Sequence, residues 1–383
     1  MKTPVSTVQV GSGGFAASHL KKLLDPKMAE HLQLVGVVDP YAAASPHYDT
    51  FKNLVPVYDD LAGFYAENSA ELAFVSTPIH LHFEHCMTAM DNGSHVLCEK
   101  PLVPTPGQLE LLAEKSKSTG KALAVAFQWC HSSVMLNIKE RILAGEFGKP
   151  LSLKSLVCWP RNWKYFSRSW AGRLTTEDGK LIRDSVLSNA SSHYLQNMLF
   201  LLGPSMAESA ELTNIAAECY RANDIETFDT IAMRGQAEGA NVYLAASHAA
   251  NYMINHPLMD YSFENARILI SFCQQDGRCV IHHKDGRIED MGDGLGGGFW
   301  NEMIFAAQSI RGERPWTCTI DTVRPFTKVI DYVFSNVKVQ NFNEAFIVRD
   351  SENQRTYVKN FHLDLMECYN RCKLPREISC PSL

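Results

Sequence analysis

The chain has 383 residues, of which 45% are hydrophobic and 20% charged, a composition typical of a globular protein long enough for two domains. Its formal net charge of −6, without a Lys/Arg block, argues against nucleic acid as a partner. No run of roughly eighteen apolar residues predicts a membrane span, and residues 1–10 lack a secretory signal. We expect a cytoplasmic protein whose eleven scattered cysteines are buried thiols.

The first third of the chain alternates short apolar runs with helical stretches. Helices are predicted over 16–24, 82–92 and 106–118, and strands over 5–10, 32–38, 72–76, 95–98 and 122–127. Continuously apolar strands that alternate with helices indicate an α/β domain with a parallel sheet covered on both faces.

The pattern changes after residue 130. Helices are predicted over 133–144, 191–202, 299–311 and 323–336, and extended segments over 151–158, 227–234, 241–250, 261–272 and 278–283. A polar and aromatic loop occupies 159–184, and a glycine-rich loop occupies 292–298. These segments predict a second, α+β domain over 131–383, with a large, mostly antiparallel mixed open sheet.

A glycine turn follows the first strand. Gly11, Gly13 and Gly14 precede Phe15 and Ala16 in a G-x-G-x-x-A pattern that opens a helix. The first glycine allows a tight turn, the second lets the backbone approach a pyrophosphate, and the small sixth residue permits close helix packing. The helix N-terminus offers N–H groups to phosphate oxygens. We therefore predict a Rossmann dinucleotide-binding domain over 1–130; the alternative is a plain glycine turn.

An acidic residue ends the second strand. Asp39 lies 23 residues after Ala16, and no Lys or Arg follows it closely. A carboxylate at this position accepts hydrogen bonds from the adenosine ribose and repels a 2′-phosphate. NAD is therefore favoured over NADP as the cofactor, unless Asp39 only caps a helix.

A second motif, HVLCEKP, spans residues 95–101. Together with the glycine turn, the Ser-Thr-Pro run at 76–78 and His82, it resembles the Gfo/Idh/MocA oxidoreductases, such as glucose–fructose oxidoreductase and inositol dehydrogenase. The resemblance is strong over about 5–203 and looser beyond. It implies a cis bond before Pro101 and a Lys100 that contacts the nicotinamide ribose and the reacting hydroxyl. The remaining cofactor contacts that it implies are Ser76, Thr77, Pro78, His82, Glu99 and Gln128.

Alcohol chemistry independently gives Lys100 a role. Oxidation of an alcohol needs a partner for the hydroxyl proton while the hydride leaves. An ammonium group with a pKa of about 10.4 is a donor, but burial and a positive nicotinamide would lower that pKa. The alternative is an exposed lysine that follows a strand.

A third segment, VLSNASSHYLQ, resembles the family's Asp-x-Gly-x-His-x-x-Asp helix start. His193 falls on the family's acid/base histidine, whereas Asn189 and Gln196 replace the two aspartates. Asparagine cannot take a proton, so the relay is reduced to Lys100 and His193, unless Asp184 restores a carboxylate. Helical spacing predicts that the asparagine and the histidine share a face. The alternatives are a structural histidine and a helix N-cap at Asn189.

The aromatic and cationic loop provides the predicted substrate contacts, which are Arg161, Tyr165, Trp170, Arg173 and the helix-start His193. Rings and polar donors suit the apolar faces and hydroxyl edges of a sugar, and the arginines also permit a carboxylate. The alternative is rings buried in an interdomain core with solvated arginines.

These observations favour hydride transfer between NAD and a hydroxyl carbon of a sugar, polyol or sugar acid. Two alternatives are NAD-assisted glycoside cleavage by transient oxidation and elimination, and a non-catalytic dinucleotide-dependent sensor. The histidines at 80, 82 and 85 have only Glu84 beside them, so no metal site is expected. The resemblance implies a homodimer or homotetramer formed through the C-terminal sheet.

Overall fold

The computed structural model describes residues 3–252, 258–271, 277–296 and 298–383. They divide into two compact units, Met1–His131 with Gly298–Arg324 and Ser132–Gly297 with Pro325–Leu383. This division differs from the predicted contiguous domains, 1–130 and 131–383, because residues 298–324 pack with the first unit. Within the described ranges, no helix combines the length and apolarity that crossing a membrane requires.

The helices and strands of both units are numbered in chain order. The helices are α1 (Ala16–Leu23), α2 (Tyr48–Phe51), α3 (Leu61–Glu67), α4 (Ile79–Asp91), α5 (Pro106–Thr119), α6 (Ser133–Leu143), α7 (Trp163–Phe166), α8 (Ser192–Leu202), α9 (Asn301–Ile310), α10 (Ile320–Asn336) and α11 (Phe361–Arg371). The strands are β1 (Val5–Val10), β2 (Leu32–Val38), β3 (Val57–Tyr58), β4 (Leu72–Val75), β5 (His95–Cys98), β6 (Leu123–Val125), β7 (Pro150–Cys158), β8 (Thr213–Arg221), β9 (Thr230–Ala237), β10 (Ala240–Ser247), β11 (Leu258–Phe263), β12 (Ala266–Ser271), β13 (Arg278–His283), β14 (Ile288–Asp290), β15 (Val339–Asn341), β16 (Ile347–Asp350) and β17 (Arg355–Val358).

The first unit contains a six-stranded parallel sheet in the order β3-β2-β1-β4-β5-β6. All four residues of β4 are buried, as expected for a central strand covered on both faces. The strand order reverses between β1 and β4, and in such sheets ligands bind beyond the carboxyl ends of the strands at this reversal. The predicted Rossmann architecture is confirmed.

A late segment of the chain completes the core of this unit. Met303, Ala306 and Ala307 of α9 pack in one apolar cluster with Phe74 of β4 and Leu97 of β5. Val125 N donates to Cys318 O over 2.8 Å, so the segment also adds a backbone contact beside β6. The sequence predicted this helix but not the unit to which it belongs, because both units have apolar surfaces that an amphipathic helix can cover.

The second unit contains a nine-stranded mixed sheet in the order β14-β13-β12-β11-β7-β10-β9-β8-β15. Its strand pairs are antiparallel except for β10 with β7 and β15 with β8, so the predicted, mostly antiparallel mixed sheet is confirmed. The helix α8 lies over one face, where Ser155 Oγ donates to Met198 Sδ over 3.6 Å. Phe361 and Leu365 of α11 pack on the opposite face of β7 and β10. The helix α11 therefore covers part of this face of the sheet.

Several predicted elements differ from the structure. The single strand predicted over 261–272 is the hairpin β11–β12, with its turn at Glu264 and Asn265; residue 272 itself lies outside the described residues. The helix predicted from residue 82 begins at Ile79, directly after Pro78. The sequence analysis did not predict β8 or the short strands β14, β15, β16 and β17. Apolar and polar residues do not alternate strongly in β8, β15, β16 and β17. Of the predicted loop 292–298, residue 297 lies outside the described residues.

Gly203 ends α8 where the chain turns back along the helix. A Cβ at this position would overlap the backbone carbonyl of Glu208, whereas a Cβ on Gly107 meets no atom within 4 Å. We predict that Gly203→Ala lowers the free energy of unfolding by about 1–3 kcal/mol and the unfolding midpoint by at least ~2 °C. The control Gly107→Ala should leave the midpoint unchanged or slightly higher. Equal midpoints for both variants in calorimetry would contradict the predicted crowding.

Candidate active site

The glycine turn between β1 and α1 has the open backbone that a dinucleotide needs. Gly11 has φ +92°, and a Cβ on it would lie 2.8 Å from the backbone oxygen of Ser76. Around Gly13 and Gly14, by contrast, a Cβ would meet no described atom within 4 Å. Ala16 is buried, and Phe15 is 49% exposed. The turn therefore fits tightly against β4 on one side and leaves its other side open for a pyrophosphate.

Asp39 follows β2 and supports this turn. Its Oδ2 accepts hydrogen bonds from Ser12 N (2.7 Å) and Ser12 Oγ (2.6 Å), and its Oδ1 accepts one from Tyr41 N (2.8 Å). The carboxylate is partly exposed, so it has room to accept further bonds from ribose hydroxyls. If Asp39 only capped a helix, the bond from Tyr41 N would be explained but the two bonds from Ser12 would not. Those two bonds connect the end of β2 with the end of β1.

The hydroxyls of the Ser-Thr-Pro run after β4 contact two histidines. Ser76 Oγ lies 3.1 Å from His19 Nδ1, and Thr77 Oγ1 lies 3.1 Å from His85 Nδ1. Pro78 is exposed and directly precedes α4. These contacts fix the run at the carboxyl end of β4, beside the glycine turn.

The resemblance implies that His82 contacts the cofactor, but its imidazole is enclosed by backbone carbonyls of this chain. It is buried, with Nε2 2.7 Å from Thr77 O and Nδ1 3.0 Å from Pro101 O. Burial lowers the pKa of its imidazole, although the neighbouring carbonyls oppose this shift. It lies within the first turns of α4 rather than at the helix start. The geometry indicates that His82 positions the Thr77 and Pro101 backbones.

The Glu99-Lys100-Pro101 motif lies at the carboxyl end of β5. The bond between Lys100 and Pro101 is cis, as the resemblance implies. Glu99 Oε2 accepts a hydrogen bond from Lys100 N (3.1 Å), and Glu99 Oε1 lies 3.2 Å from His19 Nε2. Burial acts to raise the pKa of the Glu99 carboxyl, but His19 and Lys100 outweigh it and hold that pKa at about 2. Gln128 begins a short 3₁₀ turn after β6 and is partly exposed.

His19 is a site residue that the sequence reasoning missed. It is fully buried on α1, and its two ring nitrogens lie near Ser76 and Glu99. The signal was present, because a histidine occupies the buried face of a helix whose other buried positions are apolar. A polar side chain at such a position needs partners of its own.

In the second unit, the predicted shared helical face of Asn189 and His193 is wrong. The helix α8 begins at Ser192, so Asn189 lies in the preceding turn and is not its N-cap. Hydroxyls form this turn: Ser192 Oγ donates to Asn189 O over 2.6 Å, and Ser191 Oγ donates to Val186 O. Serines bond readily to nearby backbone in this way and compete with helix. His193 lies in the first turn of α8 and is partly exposed.

The amide of Asn189 connects a buried carboxylate to the aromatic loop. Its Nδ2 donates to Asp184 Oδ1 (2.9 Å) and, more weakly, to Tyr165 Oη (3.4 Å). Asp184 is buried, and its Oδ2 accepts from Gly172 N over 2.7 Å. Position 189 has no carboxylate of its own, but the carboxylate of Asp184 lies within hydrogen-bond distance of the Asn189 amide.

The predicted substrate residues fall into two groups. The Arg161 guanidinium lies 5.1 Å from the Tyr165 ring centroid, and the Trp170 ring meets Tyr165 edge-on at 6.1 Å. Arg173 is instead exposed and pairs with Glu226 over 2.7 Å. The structure therefore brings Arg161, Tyr165 and Trp170 together and gives Arg173 a surface ion pair, because its long side chain reaches the nearest carboxylate.

A triad with metal-ligand chemistry occurs elsewhere in the second unit. In the described part of the chain, Glu146, His283 and Glu289 form a group whose ligand atoms lie within 4.8 Å of one another. Arg141 already bonds both glutamates, at 2.8 Å to Glu146 and 2.9 Å to Glu289. Its guanidinium supplies the positive charge that a metal ion would bring.

The lowered pKa of the Glu99 carboxyl predicts a pH dependence. A carboxyl whose pKa falls from 4.5 to about 2 on folding stabilises the fold above pH 4.5. That contribution is lost as the pH falls from 4.5 towards 2. We predict that Glu99→Gln destabilises the protein at neutral pH, and that its deficit relative to wild type shrinks across this window in urea unfolding. The exposed Glu30→Gln, with the same charge change, should show a small deficit without that dependence.

Comparison with known proteins agrees with this geometry. Residues 5–127 match the family described as "Oxidoreductase family, NAD-binding Rossmann fold", Gfo/Idh/MocA. D-glucoside 3-dehydrogenase of Escherichia coli is 27% identical over 31% of this chain and 34% of its own length. The scyllo-inositol 2-dehydrogenase (NADP(+)) IolW of Bacillus subtilis is 25% identical over 58% and 59%. The first match spans about a third of its relative's own length, and the second spans less than two thirds.

A solved structure extends the likeness in fold to most of the chain. The oxidoreductase from Agrobacterium radiobacter, in complex with NAD+, L-tartaric acid and magnesium, superposes with a TM-score of 0.71. The superposition covers 87% of this chain and 96% of that one at 14% identity. Residues 5–127 are thus similar to the NAD-binding Rossmann part of the Gfo/Idh/MocA oxidoreductases.

Proposed function

We propose that the protein is a dehydrogenase that transfers a hydride between NAD and a hydroxyl carbon of a sugar, polyol or sugar acid. The observation that carries this proposal is the network at the strand ends of the first unit. There Glu99 accepts a hydrogen bond from the Lys100 backbone and lies 3.2 Å from His19 Nε2, and His19 also contacts Ser76 beside the Gly11 turn. A lysine held at the carboxyl edge of a dinucleotide-binding sheet is suited to exchange a hydroxyl proton.

The residues of the chain divide the proposed work. Bound NAD supplies the hydride acceptor. Lys100 Nζ takes the hydroxyl proton, and His193 acts as the second acid/base group. Asn189 orients the hydroxyl through its amide, whose own orientation is set by its bond to Asp184 Oδ1. Replacement of aspartate by asparagine at this position removes a proton carrier but keeps a hydrogen-bond partner.

The comparisons support this class of substrate. Relatives are named as dehydrogenases of a glucoside and of an inositol, and a structural neighbour binds NAD+ with a hydroxy acid. One relative is named for NADP(+), so the choice of NAD rests on Asp39 of this chain. A cytoplasmic homodimer or homotetramer formed through the C-terminal sheet completes the proposal.

The acid/base roles predict a specific kinetic defect. Lys100→Met and His193→Ala should each lower kcat by about 10²–10⁴-fold, while NADH binding, followed by fluorescence, changes much less. The exposed Lys117→Met is the control with the same charge change. The assay screens sugars, polyols, uronic acids and glycosides with NAD, following reduced cofactor by absorbance and products by mass. Full activity of Lys100→Met would contradict the proposal, and release of an aglycone without net NADH would replace it with elimination chemistry.

Asp39 predicts the cofactor preference. Loss of hydrogen bonds to a charged acceptor costs about 1.5–3 kcal/mol, so Asp39→Ala should weaken NAD binding by roughly 10–150-fold. Binding of NADP should weaken less, because the repulsion of its 2′-phosphate is also removed. Ser12→Ala separates the two roles of the carboxylate: it removes the Oγ bond to Asp39 but keeps the charge, so it should affect both cofactors equally. An unchanged NAD/NADP ratio in Asp39→Ala would reject NAD specificity through this residue.

A further inference from the structure

A cavity of about 630 Å³ opens in the second unit, over the segment that follows β7. Its lining includes four cationic side chains, Arg161, Lys164, Arg168 and Arg355, and within the described residues no carboxylate lines it. Its volume falls in the range of small-molecule sites. We call this cavity, defined by these four cations and Tyr165, the arginine pocket.

The cations of the arginine pocket are unequally neutralised. Arg355 Nε lies 3.5 Å from Asp350 Oδ2. Arg161 and Arg168 form no ion pair with any described residue, and their guanidinium groups lie over the Tyr165 ring at 5.1 and 5.0 Å from its centroid. Arg161 Nε is buried and has no acceptor among the described residues. Two guanidinium groups therefore keep donors that carboxylate or phosphate oxygens match.

The groups around Arg161 do not compensate its charge. Arg161 N donates to His248 O over 3.2 Å. Burial, with a further contribution from the Arg161 charge, lowers the pKa of His248 to about 3, and burial raises the pKa of Tyr165. Both side chains are therefore neutral near pH 7. A partly buried cation without a counter-ion costs free energy, and an anionic ligand would offset this cost.

The arginine pocket adjoins the turn that precedes α8. Tyr165, which lines the pocket, accepts a hydrogen bond from Asn189 through its hydroxyl, and Asn189 bonds Asp184. His193 follows four residues later at the start of the helix. A ligand held over Tyr165 would thus lie beside the residues proposed to orient the reacting hydroxyl.

We propose that the arginine pocket binds the oxyanion of an acidic sugar, a carboxylate or a phosphate, and that Arg161 and Arg168 are its principal contacts. The identification of that sugar as the substrate rests on the proposed dehydrogenase function; the binding of the anion does not. Charge-assisted bonds from paired guanidinium groups are strong and directional, so the pocket selects acidic sugars over neutral ones and fixes their orientation.

The test is calorimetric titration of the full chain with D-glucuronate, D-glucose 6-phosphate and D-glucose. At least one acidic probe should bind about tenfold or more tightly than glucose. Arg161→Gln and Arg168→Gln should each remove most of that difference in affinity between the acidic probe and glucose. Arg287→Gln, an exposed arginine paired with Asp285, is the control and should match wild type. Preference for glucuronate alone or for the phosphate alone identifies the oxyanion.

Equal binding of all three probes, or loss of acidic binding in the control as well, would overturn the proposal. Arg161→Lys guards against misfolding, because it keeps the charge and should recover part of the acidic preference. NADH formation is measured on the same samples. If acidic probes bind more tightly but no hydroxy compound yields NADH, the anion-binding pocket is supported and the dehydrogenase function is rejected. If neutral and acidic sugars bind with equal affinity and both yield NADH, the dehydrogenase function is supported and the anion-binding pocket is rejected.

Discussion

The imidazole of His19 connects the elements on which the first half of the site depends. It projects from α1, directly after the glycine turn, and its two nitrogens lie 3.1 Å from Ser76 Oγ and 3.2 Å from Glu99 Oε1. Those partners follow β4 and β5, so one buried ring links three neighbouring strand ends. The link requires a close approach of the backbones, because any Cβ at Gly11 would collide with the Ser76 carbonyl. Without glycine at this position, the ends of β1 and β4 could not form the open cradle at the sheet's reversal point.

The buried carboxyls of Glu99 and Glu302 lie in the same unit, yet their pKa values are shifted in opposite directions. Burial, with a smaller contribution from the Glu99 charge, raises the pKa of Glu302 well above its ordinary value. Glu99 has His19 and Lys100 as partners and stays ionised, whereas Glu302 Oε2 is buried without an acceptor or donor in the described structure. The pKa values of two carboxyls in one unit are therefore shifted in opposite directions, according to the partners of each group. Because Glu302 belongs to the returning segment 298–324, that segment also shapes the electrostatics around the Lys100 motif.

The parts of the fold that were predictable are those where local pattern and tertiary packing agree. The wholly apolar β4, the apolar residues 96–98 of β5 and the glycine turn together indicate a parallel sheet covered on both faces. The hairpin of β11 and β12 was read as one strand because its turn, Glu264-Asn265, interrupts the alternation by only two residues. The short strands after residue 337 alternate too briefly to be recognised.

The site was predictable where its residues are consecutive in a motif. It was less predictable where a side chain has several possible hydrogen-bond or ion-pair partners. The cis bond at Pro101 followed from the resemblance. The placement of Asn189 failed because serine hydroxyls form a turn where helical spacing was assumed. The role of Arg173 differed because Glu226, 53 residues later in the chain, captures its guanidinium. Glu226 lies too far along the chain from Arg173 for a local reading of the sequence to reveal this pairing.

The charge of the whole chain and the charge of its cavity have opposite signs, and distance decides which one a ligand feels. A net charge of −6 is spread over the molecular surface, where physiological salt screens it beyond about 8 Å. The guanidinium groups of Arg161 and Arg168 each lie about 5 Å from the centroid of the Tyr165 ring, well inside that screening length. An anion in the cavity would therefore meet guanidinium groups at contact distance, and its interaction would be stronger with the partly buried Arg161 than with the exposed Arg168. Two arginines without a carboxylate partner in the described structure repel one another when held this close, and their contacts with the aromatic ring reduce that repulsion only in part. The arrangement is most stable when a negative group joins them.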